Sequence, residues 1–167
     1  MSTINVSEKG LGTINRLGPV VASALAAVLV LLSFALGRLY VPADASDASQ
    51  AVTLDFGDFK SMIESGAAPS TGLQEIYFGW LAWVLAILAI GASLLSSALL
   101  QRATAIVAVI SAVAALLASV FGTKGQLTWA QYIEQGTNLR IGSYFAFLGY
   151  FLIIATGVVV ARRRGRQ

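Results

Sequence analysis

Four stretches of the chain carry no formal charge and are apolar almost throughout: Leu17 to Gly37, Ile76 to Gln101, Ala103 to Thr123 and Ile141 to Ala161. The shortest holds 21 residues. At helical rise that length reaches about 31 Å, the thickness of a hydrocarbon core. Backbone polar groups in lipid must be satisfied within the segment, so each run is predicted to be a helix. A soluble bundle would normally show one polar face per helix. Four uninterrupted runs speak against it. The pattern predicts an all-α membrane protein, a four-transmembrane-helix bundle with spans at 17–37, 76–101, 103–123 and 141–161. Around them lie an N-terminal segment (1–16), connecting segments at 38–75 and 124–140, and a basic tail (162–167).

Start and stop signals refine this division. Pro19 falls near the start of the first run, where a missing N–H costs no helical bond, and no proline is expected to interrupt a span. Thr71 and Gln74 have capping-box spacing ahead of the second span. Only Arg102 separates the second and third runs. One continuous helix would hold that charge in mid-membrane, so a tight antiparallel hairpin is predicted, turning near Gln101–Thr104. The first run has basic residues before it and Ala43-Asp44-Ala45 after it, in the manner of a cleaved signal. Its apolar stretch is longer than the usual 7–15 residues, which favours a retained span.

Charge sets the orientation. The N-terminus, the 101–104 turn and the C-terminus share one side and carry Lys9, Arg16, Arg102, Arg162, Arg163, Arg164 and Arg166 against one acid, Glu8. The other side has Arg38, Lys60, Lys124 and Arg140 with Asp44, Asp47, Asp55, Asp58, Glu64, Glu75 and Glu134. Lysine and arginine bias therefore predicts an N-in/C-in topology, with a small extracytoplasmic lobe between helices 1 and 2. Arg162, Arg163, Arg164 and Arg166 are read as the topology anchor and a contact for anionic lipid. A tail this short is a poor nucleic-acid site, and no nucleic-acid partner is expected.

In the larger outer segment Val52, Leu54 and Phe56 alternate with Thr53 and Asp55, a strand signal, and Phe59 to Glu64 would form a helical turn before the Gly66–Gly72 breakers. About 38 residues cannot bury a robust core alone, so this lobe should rest on the helix ends or on a partner. Thr128 and Gln131 repeat the capping-box spacing, which would lay Trp129, Tyr132 and Ile133 in the headgroup layer as a short interfacial helix. The acids at 44, 47, 55 and 58 lack the spacing and closing glutamate of a calcium loop and read as a solvated acidic face.

The aromatics are one-sided. Tyr77, Trp80, Trp83, Trp129, Tyr132, Tyr144, Phe147 and Phe151 all fall toward the outer side, whereas the inner halves of the spans are alanine, valine, leucine, isoleucine and serine. An interfacial belt explains part of this, and a contact surface for a partner or lipid in the outer leaflet explains it equally well. These eight are the candidate contact residues. In the fourth span Gly142, Ala146, Gly149, Ile153 and Gly157 form a mostly small stripe that should pack inside the bundle, turning Tyr144, Phe147 and Phe151 outward. Ser111–Ala115–Ser119, Ala114–Ala118–Gly122 and Ala89–Ser93–Ser97 are similar ladders.

Composition narrows the chemistry. The chain is 57% hydrophobic and 11% charged, with no cysteine and no histidine. That removes thiolate chemistry and the usual haem and zinc ligand. No acid or base lies within a predicted span, as ion-coupled transport would require. The hydroxyls there (Ser23, Ser33, Ser93, Ser96, Ser97, Ser111, Ser119, Thr156) can bond to their own helix backbone. No catalytic, cofactor-binding or metal-ligating residue can be named, no cofactor is expected, and no soluble substrate is identified. A non-enzymatic scaffold is the expectation.

The alanine- and glycine-rich spans, the acidic outer loop and the closing Ala161-Arg162-Arg163-Arg164-Gly165 resemble small envelope membrane proteins of actinobacteria. Within that group the chain resembles the accessory subunits of the cytochrome bc–cytochrome oxidase supercomplex, across its whole length but through no diagnostic motif. The resemblance implies a non-catalytic role, bridging respiratory membrane subunits in the plasma membrane, and it carries over no functional residues. Two rival expectations are a lipid-handling or cell-envelope assembly protein and a small oligomeric transporter or channel.

Overall fold

The computed structural model describes residues 7–41, 52–67 and 69–163, with side chains described for all of these except 7–16, 40, 41, 135, 137 and 163. Four long helices dominate: α1 (Ser7–Ala35), α3 (Gly72–Leu99), α4 (Arg102–Lys124) and α6 (Ile141–Arg163). Each is long and apolar enough to cross a membrane, which makes this a multi-pass membrane protein of four-helix-bundle architecture. Between α1 and α3 lie strands β1 (Leu39–Val41) and β2 (Val52–Leu54) and helix α2 (Phe56–Glu64). Between α4 and α6 lie α5 (Trp129–Glu134) and a 3₁₀ turn (Gln135–Asn138).

α1 starts at Ser7, well before the apolar run, so Pro19 lies inside the helix and not near its start. Its ring removes the N–H that would reach the Asn15 carbonyl. The run of apolar residues marks where lipid begins; it does not mark where helical backbone begins. α3 likewise starts earlier than the charge-free run. Thr71 caps it, with Gln74 bonding back to the Thr71 N–H at 3.0 Å. From Tyr77 to Leu81 the helix widens into a π turn, closed by the Ala82 N–H on the Tyr77 carbonyl. The turn between α3 and α4 is tighter than expected: Leu100 sits in the left-handed region (φ 52°), Gln101 is extended, and Arg102 already opens α4.

α3 packs along α4, α4 along α6 and α6 along α1, while α3 and α6 also touch across the middle. Small residues make this possible. Every member of the predicted stripe on α6 is buried, as are Ser111, Ala115 and Ser119 on α4 and Ala89, Ser93 and Ser97 on α3, whereas of the second α4 ladder Gly122 is buried and Ala114 and Ala118 are only half-buried. A Cβ on Gly149 would meet Val30 and the Ala26 carbonyl of α1, and one on Gly157 would meet Val109 and the Ala105 carbonyl of α4. In lipid no hydrophobic force drives helices together, so such backbone approach and buried hydroxyl bonds carry the association. One set of hydroxyls departs from the expectation that each serves its own helix. Ser23 Oγ of α1 lies 2.8 Å from Ser93 Oγ and 2.7 Å from Ser97 Oγ of α3, a buried interhelical cluster.

The lobe is built on local signals. Asp55 and Asp58 form a reciprocal capping box that opens α2, three residues earlier than the Phe59 start expected. β2 is the predicted strand; its antiparallel partner β1, in register Leu39↔Leu54 to Val41↔Val52, carried no alternating pattern of its own.

Candidate functional site

The lobe end of the bundle is organised around Arg38, the first charge after the α1 run. Read from sequence as a loop charge on the outer side, it is instead 3% exposed. The backbone holds the residue from two directions. Its N–H donates to the Leu54 carbonyl of β2 at 2.7 Å, and its carbonyl accepts from the Arg140 N–H at 2.9 Å and the Ser143 hydroxyl at 2.9 Å. Beside it, the Gly142 N–H reaches the Gly37 carbonyl, and neither glycine has room for a Cβ. The junction of α1, β2 and the start of α6 is thereby closed backbone to backbone.

The guanidinium folds back over its own helix. Nε donates to the Ser33 carbonyl at 2.8 Å, Nη2 to the Ser33 hydroxyl at 3.0 Å, and Nη1 to the Tyr77 hydroxyl at 3.5 Å. It also lies 5.1 Å from the ring centres of both Phe34 and Phe56, a cation held between two aromatic faces. No carboxylate lies within ion-pair distance of it among the described residues.

An aromatic cluster surrounds this cation. Phe34 stacks on Trp83 at 4.2 Å and meets Phe56 edge-on at 4.8 Å, while Phe59 stacks on Phe78 at 5.3 Å. The adjacent Tyr77 and Phe78 of the π turn are both buried in this cluster. These contacts answer how so small a lobe stays folded: it shares its core with the ends of α1 and α3.

On the α4–α6 side of Arg38 lies a partly enclosed cavity of about 230 Å³. Val120 and Thr123 of α4, Phe147 and Ser143 of α6, Tyr132 and Ile133 of α5, Phe59 of the lobe and Arg38 are among the residues that line it. Its polar groups are mostly engaged. Thr123 Oγ1 bonds the Ser119 carbonyl at 2.7 Å and the Tyr132 hydroxyl at 2.9 Å, and the Ser143 hydroxyl is taken by Arg38. α5 roofs the space, opened by the expected Thr128–Gln131 capping box and braced by Trp129, which meets Phe121 and lies over Lys124 Nζ at 5.1 Å.

The eight expected contact residues fall into three groups. Tyr77 is 3% exposed and is corrected to a core residue, its hydroxyl accepting from Arg38 Nη1. Trp83, although partly exposed, is stacked on Phe34, and Tyr132 and Phe147 are half-buried at the cavity, so Phe147 does not point outward as expected. Trp80 (57% exposed), Tyr144 (57%), Phe151 (64%) and Trp129 stand on the surface. They do not form one face. α3 and α6 touch across the centre of the bundle, so their outward ridges point to opposite sides. Of the basic tail, Arg162 is exposed, while the Arg163 side chain, Arg164 and Arg166 lie outside the described residues, as do Asp44 and Asp47.

Sequence reasoning missed Arg38 and the cavity. The sequence offered no signal for either: α1 ends at Ala35, so the side chain of Arg38 is placed by extended backbone paired to β2, and the second ring comes from α2. No family model, curated protein or solved structure matches this chain.

Proposed function

We propose that this chain is a non-catalytic accessory subunit of a larger membrane complex, docking its neighbours through the aromatic ridge of α6 in the lobe-side half of the bundle. The observation that supports this is the opposition of two faces on one helix. Gly142, Ala146, Gly149, Ile153 and Gly157 lock α6 into the bundle, and Tyr144, Leu148 and Phe151 are thereby held on a fixed outward ridge. Rigid aromatic anchors on a preformed surface bind at low entropic cost. Phe151 also lies about 15 Å along α6 from its start at Ile141, deeper than an interfacial belt reaches. In this reading the lobe faces outward from the plasma membrane and the basic tail faces the cytoplasm, following the charge bias. The resemblance proposes the cytochrome bc–oxidase supercomplex as the assembly.

The test is co-purification of the full chain in mild detergent with mass spectrometry of what accompanies it. Haem-bearing membrane subunits are the expected companions, lost in a Tyr144→Ala/Phe151→Ala double variant that still inserts and elutes as a single species. Recovery of cell-envelope synthases in their place, or of a homo-oligomer that passes solutes in liposomes, would replace this reading with one of its rivals. Trp83 and Phe147 are unsuitable for the substitution, because one packs in the aromatic cluster and the other lines the cavity.

A further inference from the structure

We propose that the cavity beside Arg38 is a binding site for an anionic phospholipid of the surrounding leaflet, one acyl chain lying between Val120, Leu139 and Phe147 and the phosphate against the guanidinium. The cavity supplies the first half of the argument. At about 230 Å³ it exceeds the ~150 Å³ apolar cavities that hold a benzene. It falls short of the ~300 Å³ at which drug-sized pockets begin. It therefore suits part of a chain and not a whole lipid. Its walls are almost entirely carbon, and the hydroxyls of Thr123 and Ser143 are already spoken for inside the protein. A polar solute would find little to bond with there.

Arg38 supplies the second half. A cation at 3% exposure is costly unless it is paired, yet the described residues bring it hydroxyls, a carbonyl and two aromatic faces and no carboxylate. Three of the guanidinium's five N–H groups are assigned, and the bond from Nη1 is the longest of them at 3.5 Å. A basic residue lining an apolar recess, beside the junction of α1 and α6, matches an amphiphile with its acid at the headgroup layer and its tail below. Planar guanidinium and phosphate are also geometrically suited to one another. Ile133 on α5, which lines the cavity and is also exposed, gives it an apolar rim toward the outside. This site is independent of the docking ridge: Tyr144 and Phe151 do not line it.

The experiment uses the full chain in mild detergent, equilibrated with phosphatidylglycerol, phosphatidylcholine of identical chains, or oleate, and read by native mass spectrometry. The wild type is expected to retain phosphatidylglycerol at least tenfold over phosphatidylcholine. Arg38→Gln should reduce that preference to parity, and Arg38→Lys should keep part of it. Val120→Phe, which fills the recess without touching the charge, should lower retention of both phospholipids severalfold. Should Arg38→Gln fail to fold, the lysine and Val120 variants still decide the matter. Equal retention of the two phospholipids by the wild type, unchanged retention in Val120→Phe, or retention of oleate alone would overturn the proposal.

Discussion

Gly149 offers the sharpest test of how the bundle is held together. A Cβ at that position would lie 2.7 Å from Val30 Cγ2 and 3.1 Å from both the Ala26 carbonyl oxygen and the Val30 nitrogen. Ordinary carbon–carbon contact is at about 3.5–4.0 Å. Val30 is fully buried, and a valine in a helix has essentially one rotamer, so it cannot swing aside. The other two atoms are backbone. Gly149→Ala must therefore push α1 from α6, at about 1–3 kcal/mol for overpacking. Alanine also gains about 0.5–1 kcal/mol of helix preference over glycine. Gly91, inside α3 with nothing within 4 Å of its virtual Cβ, receives the same gain without the clash. The difference between the two variants isolates the contact and should be about 1–3 kcal/mol, roughly 5- to 150-fold in the unfolding equilibrium. Unfolding by sodium dodecyl sulfate in mixed micelles, followed by circular dichroism, measures it. Equal midpoints for Gly149→Ala and Gly91→Ala would refute the claim that backbone approach joins α1 to α6.

Other perturbations probe separate parts of the chain. Ser23→Ala should destabilise the bundle more than Ser97→Ala, by about 0.6 kcal/mol per lost interhelical bond, since Ser23 Oγ serves both partners; a double-mutant cycle should show them coupled, and strict additivity would deny the cluster. Leu100→Gly should relieve a left-handed leucine worth about 1–2 kcal/mol against about 0.5–1 kcal/mol of added chain entropy, so the same titration should show a neutral to modestly stabilised variant, never a weakened one. Asp55→Ala removes one side of the α2 capping box and should cost about 1 kcal/mol locally. Hydrogen exchange should then rise in residues 56–64 while the four spans stay protected.

Much of this architecture is legible in one dimension, and the reason is lipid. A bilayer forbids unpaired backbone groups, so any uncharged run of sufficient length must be a helix whatever surrounds it. The same one-dimensional logic covers the capping boxes at Thr71 and Thr128, the small stripe of α6 and the strand at 52–54, since each depends on neighbours within a few residues; the Asp55 box is equally local but was missed, because Asp58 stands at its third position where the usual pattern has glutamate or glutamine. The other features that failed to show have partners far along the chain. β1 exists because β2 pairs with it, and Arg38 is buried because Phe56, Tyr77 and Ser143 arrive from three other elements. Tyr77 fits inward because Gly122 of α4 leaves room for its ring. Composition and periodicity determine which segments enter the membrane and where they stop. Only the packed tertiary structure decides which charge is hidden, which aromatic is free and where a cavity remains, because those depend on distances between residues that the order of the chain does not encode.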